Sequence, residues 1–73
     1  MRWIMSSNDI RNAVFTDNEV TFSHNDRDYL LYGWDQCDGY FLSLECEGVL
    51  VWQSVPMSKA ECIDEFFRYY SEL

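Results

Sequence analysis

The residues equipped for chemistry are loop aspartates, three cysteines and a single histidine. Asp26-x-Asp28 and Asp35-x-x-Asp38-Gly39 space carboxylates as a calcium loop might begin. A loop of the EF type needs oxygen ligands at alternating positions, a glycine at position six and a bidentate glutamate at position twelve. Counted from Asp26, those positions hold Leu31 and Cys37, so the pattern fails. Aspartates that satisfy their own turn backbone account for the spacing. Zinc needs clustered cysteine and histidine, but His24, Cys37, Cys46 and Cys62 are dispersed without a C-x-x-C pair. A Cys–His nucleophile would have to use His24, and no oxyanion signature accompanies it. Cys46 and Cys62 read instead as small core hydrophobes. Gly33, Gly39 and Gly48 stand singly, so no phosphate cradle is formed. Paired carboxylates for acid–base work need a cleft, and a 73-residue chain has little room for one. The chain reads as non-enzymatic, with no cofactor and no metal.

The elements that would position these residues centre on Tyr29–Gln53. YLLYGW, YFLSLEC and VLVWQ are apolar runs of strand length, parted by DQCDG and EG. Asp38-Gly39 is a hairpin pair, and Glu47-Gly48 is a second turn. Leu30, Tyr32 and Trp34 alternate with Tyr29, Leu31 and Gly33. Gly33 marks a bulge or a close backbone approach. Tyr40, Leu42, Leu44 and Cys46 form a wholly apolar face and are assigned to the core; Phe41, Ser43 and Glu45 face the other way. Leu50 and Trp52 are set opposite Val49, Val51 and Gln53. Both faces of that strand are mostly apolar, which predicts a central or well-covered position.

Upstream, Arg2–Met5 reads as a short strand or a loose start. Ser6 and Ser7 open a helical segment of about two turns over NDIRNAV. AVFT (Ala13–Thr16) reads as a strand, Asp17-Asn18 as a turn, and EVTFS (Glu19–Ser23) as a half-buried strand with Val20 and Phe22 inward. His24–Asp28 is a polar turn. Downstream, Pro56 cannot donate to a ladder and ends the sheet. Ser58-x-x-Glu61 is a capping box, and Ile63, Phe66, Phe67 and Tyr70 trace an amphipathic stripe. The helix is expected to run to about Glu72, with Asp64 and Arg68 paired at i, i+4. The predicted fold is a single α+β domain: an antiparallel meander of four to five strands with one C-terminal amphipathic helix on one face.

Thirteen acids against five bases give a net charge of −8. Hydrophobic residues make up 48% and aromatics 18%, a composition that folds rather than stays disordered. The field repels nucleic acid and anionic membrane and attracts basic protein surfaces. Arg2, Arg11, Arg27, Lys59 and Arg68 are scattered among acids, which argues against direct nucleic-acid binding. The MRWIM block is too short for a signal core, and no run approaches the roughly 20 apolar residues of a membrane span. An odd set of cysteines fits free thiols in a reducing cytoplasm. The candidate partner-binding residues are Asp17, Glu19, Asp26, Asp28, Asp35, Asp38, Glu45 and Glu47, with Phe41 as an apolar anchor inside an acidic rim. Rows of such acids would imitate duplex phosphates, which lie about 1.7 Å apart along the axis.

In size, charge and strands-then-helix order, the whole chain resembles the small acidic inhibitors of phages and mobile elements, including anti-CRISPR and DNA-mimic proteins. It also resembles the small α+β immunity proteins that block bacterial nuclease toxins. The first resemblance implies a non-enzymatic inhibitor that binds a basic, nucleic-acid-handling protein or complex in the cytoplasm. The second implies a cognate toxin as partner. A third reading is an oligomeric subunit that buries Phe41 between copies.

Overall fold

The computed structural model describes residues 6–70. Its elements are α1 (Ser7–Asp17), β1 (Glu19–His24), β2 (Arg27–Gln36), β3 (Gly39–Cys46), β4 (Val49–Gln53) and α2 (Lys59–Tyr69). The four strands form one antiparallel sheet in the order β1-β2-β3-β4. The α+β class and the meander are as expected; the described residues form two helices rather than one. The reading of Arg2–Met5 lies outside the described residues.

The second helix is α1, and it overturns the AVFT strand. Ser6 caps it, with extended backbone and a side chain accepting from the Asp9 amide at 3.2 Å. Asn18 closes it in the left-handed region at φ 62°, donating its N–H to the Val14 carbonyl at 3.0 Å. Thr16 bonds back to the Asn12 carbonyl at 2.9 Å, a helical pattern available to its hydroxyl. Ile10 and Val14, four residues apart, are both buried. Burial of that pair overrides the β-preference of valine, phenylalanine and threonine.

Two of the three hairpin turns share one solution. Asn25-Asp26 and Glu47-Gly48 both place two consecutive residues at positive φ, the backbone whose twist matches flanking strands. The β2–β3 turn is Cys37-Asp38, and Gly39 begins β3 rather than sitting in the turn pair. Pairing then follows: Tyr32 faces Ser43, Gly33 faces Leu42, and Trp34 faces Phe41.

The β4 expectation is corrected twice. The pairing slips between Leu44 and Glu45, so Trp52 lies opposite Leu44 while Leu50 lies opposite Glu45. Val51 is the extra residue, and it puts Leu50 and Trp52 on opposite faces. Moreover β4 ends the sheet rather than sitting inside it. Val49, Leu50 and Val51 are 64%, 52% and 47% exposed. Beyond β4, Ser54 and Met57 continue to pair β3. Ser54 donates its amide to the Leu42 carbonyl at 2.8 Å and accepts the Leu42 N–H on its hydroxyl at 3.0 Å. Met57 bridges Tyr40 after Pro56 has broken the strand.

The capping box of α2 forms as read: Glu61 N–H donates to Ser58 Oγ, and Ser58 N–H donates to Glu61 Oε1, each at 3.1 Å. The helix stops at Tyr69 because Tyr70 leaves helical backbone; residue 72 lies outside the described residues. Asp64 and Arg68 do not pair. Asp64 accepts from Arg11 at 2.9 Å, tying the two helices together, and Arg68 donates to Glu65 at 3.0 Å.

Both helices lie on the same face of the sheet. Ile10 and Val14 of α1 and Cys62, Ile63 and Phe66 of α2 share one core with Val20, Phe22, Leu31, Tyr40, Leu42 and Leu44. Phe66 is its hub, with ring centroids 4.9 Å from Phe67, 5.3 Å from Tyr70 and 5.7 Å from Trp52. The space over Gly33 is taken by the Tyr40 ring, so a Cβ there would overlap it. The close approach read from the sequence is thus to a side chain, not to a backbone. Tyr40 then donates to Asn18 Oδ1 at 2.9 Å, and Gly33 donates its amide to the Asn18 carbonyl at 2.9 Å. These bonds fasten the end of α1 to the middle of the sheet.

Candidate binding face of the sheet

Because strand side chains alternate, the pairing fixes what the uncovered face presents. One row across it is Glu19, Tyr32, Ser43 and Gln53; the next is Thr21, Leu30, Glu45 and Leu50. Trp34 and Phe41 form a further pair towards the β2–β3 turn, and Ser23 and Asp28 one towards the β1–β2 turn. No helix among the described residues packs on this side.

Three aromatic rings form a continuous row there. Tyr32 and Trp34 stack with centroids 5.8 Å apart and planes at 21°. Trp34 and Phe41 stack at 5.5 Å and 15°. All three rings are half-buried. Under the row, Ser43 is only 1% exposed, and its hydroxyl has no hydrogen-bond partner. Tyr32 donates its hydroxyl to Glu45 Oε2 at 2.8 Å. That bond, then the loss of hydration and the adjacent negative charge, hold the Tyr32 phenol above its ordinary value of 10.0. Ser43 exerts a small downward pull on the same phenol without reaching hydrogen-bond geometry.

The described cations all lie on the helical side of the sheet, where Asp9, Glu61, Asp64 and Glu65 accompany them. The described cations are Arg11, Arg27, Lys59 and Arg68. Arg11, Lys59 and Arg68 belong to the helical layer or its cap; Arg27 is paired with His24 on the covered side of β1–β2. Arg11 is further held over the Phe67 ring, and Lys59 reaches the Phe15 carbonyl and the Tyr40 ring. The open face therefore carries Glu19, Asp28 and Glu45 and no cation among the described residues.

The sequence-predicted residues divide as follows. Glu19, Phe41 and Glu45 come together around the aromatic row. Asp28 shares their face nearer the other end, accepting from Ser23 at 3.0 Å. Asp26 and Glu47 occupy turns at that other end, where the Glu47 amide donates to the Asp28 carbonyl. Asp38 lies in the opposite turn. Asp35 faces the covered side beside Tyr40 and, after burial, helps raise that phenol. Asp17 closes α1 and is not on the sheet. The acids of the open face stand singly on β1, β2 and β3 with aromatic and hydroxyl groups between them, so no unbroken phosphate-like line crosses it. Nothing in the sequence alone marks Tyr32, Trp34 and Ser43 as members of this face's centre. The signal that finds them is hairpin register: closing β2 onto β3 at Cys37-Asp38 sets Trp34 beside Phe41.

The three cysteines lie apart. Cys37 is exposed in a turn and Cys46 is half-buried at the end of β3. Cys62 is buried, donating to the Tyr40 carbonyl at 3.1 Å beside Ser54 at 3.3 Å. A shallow depression lined by Thr21, Phe22, Ser23, Asp28, Tyr29 and Leu30 opens to solvent over the first hairpin. No described helix is long and apolar enough to cross a membrane. No family model, curated protein or solved structure matches the chain.

Proposed function

We propose that this protein is a non-enzymatic inhibitor that docks its open sheet face on a basic surface of a nucleic-acid-handling protein. The observation that supports it most is the open face itself, where Glu19 and Glu45 flank the aromatic row and no described cation is present. An apolar centre within a charged rim is the usual anatomy of a protein-binding patch. The reading keeps the basic partner and gives up duplex-like spacing of the acids. The electrostatic part of such binding speeds association and weakens with salt. Copurification with a basic nucleic-acid-binding partner, loss of that partner's nucleic-acid binding on addition of the domain, and weaker association at higher salt would support it. A partner that keeps its nucleic acid in the presence of saturating domain would defeat it.

A second reading has one observation of its own. The exposed apolar residues of β4 and the free edge of that strand suit edge-to-edge pairing of two copies into an oligomeric subunit. Sedimentation separates the two: a dimer that persists at all salt concentrations favours self-association, and a monomer removes it.

A further inference from the structure

We infer that the group this face selects is the guanidinium of arginine, presented by a segment of a basic partner, in preference to the ammonium of lysine. The inference rests on the docking face proposed above and specifies its chemistry. Tyr32 is flanked across the strands by Glu19, its direct partner on β1, and by Glu45, which its hydroxyl contacts at 2.8 Å. Trp34 and Phe41 extend its ring into a stacked row. A flat cation adds to that stack on an outer ring face, with carboxylates at its edge.

Guanidinium fits both demands. It is planar, weakly hydrated, stacks on rings, and offers a fork of N–H donors to a carboxylate; ammonium is a compact and strongly hydrated point charge. Glu45 is fixed by its bond from Tyr32 through Oε2, which leaves Oε1 as an acceptor. Ser43 lies in the same row between Tyr32 and Gln53, but its hydroxyl is enclosed and takes no part in the contact. The described cations do not compete, since Arg11, Lys59 and Arg68 are engaged on the helical side and Arg27 lies on the covered side of the sheet.

The test compares a short capped arginine-rich peptide with its lysine counterpart of equal length and charge, by calorimetry on the intact protein. The arginine peptide should bind about fivefold to tenfold more tightly, and Trp34→Ala should bring the two peptides to near parity. Equal affinities for the wild-type protein, or a preference that survives Trp34→Ala, overturn the inference while leaving the docking face in place. Binding of neither peptide overturns the docking face as well. If Trp34→Ala does not fold, Glu45→Gln carries the test, because the amide oxygen can still accept from Tyr32. Its affinity for the arginine peptide should fall about threefold or more with thermal unfolding unchanged; unchanged affinity counts against the inference.

Discussion

The two faces of the sheet are built from the same strands and are finished in opposite ways. The covered face meets two helices, and its side chains disappear into one core around Phe66. The open face meets neither of the described helices, yet it also gathers aromatic rings and buries Ser43. The first arrangement is what a small domain needs for stability. The second gives less stability per residue, since its rings stay partly exposed. Aromatic residues kept at a wet surface among acids are better explained by what they meet than by what they hold together.

Truncations would sharpen that contrast. Phe66→Ala should cost about 3–5 kcal/mol, against a total of roughly 4–11 kcal/mol for a domain of this size. Urea denaturation should find the variant largely unfolded or close to it. Phe41→Ala removes a ring of similar size from the open face and should cost about 1–2 kcal/mol while weakening partner binding. Equal losses of stability at the two positions would erase the distinction between the faces. Gly33→Ala comes next, at about 1–3 kcal/mol, because the new methyl must displace the Tyr40 ring and with it the bond to Asn18. The double variant Gly33→Ala/Tyr40→Ala should show less than the sum of the two single losses. Ser58→Ala breaks the capping box of α2 and should cost about 1 kcal/mol, visible as a lowered melting temperature.

The smallest effect is alkaline. Burial foremost raises the phenols of Tyr29 and Tyr40, and the bond to Glu45 foremost raises that of Tyr32. A folded pKa above the unfolded value means the neutral phenol is favoured by folding. The stability this contributes is whole below the unfolded value near 10.0 and is lost as pH rises through the folded values. Urea midpoints should therefore fall above pH 10, and Tyr32→Phe should make that fall shallower.

What the sequence made legible follows from where local and global preferences agree. Ser58 and Glu61 fixed the start of α2, and alternation separated Leu42 and Leu44 from Phe41 and Glu45. The AVFT segment misled because Val14 and Thr16 favour strands locally, whereas Ile10 and Val14 together fit a buried helical stripe. Leu50 was misplaced because a bulge leaves no mark in a run of apolar residues. The edge position of β4 was hidden for the same reason, since exposure does not follow from an apolar run. The acids are visible one by one, but a face free of described cations emerges only when strand register sets Glu19, Tyr32 and Glu45 side by side.

The most direct test is an amide-shift map of the isotope-labelled protein titrated with the arginine-rich peptide. The account predicts shifts confined to the open face, at Tyr32, Trp34, Phe41, Ser43 and Glu45 and at the Trp34 indole, with the Trp52 indole under α2 unmoved. Shifts concentrated on α1 and α2, or spread evenly over the molecule, would contradict it.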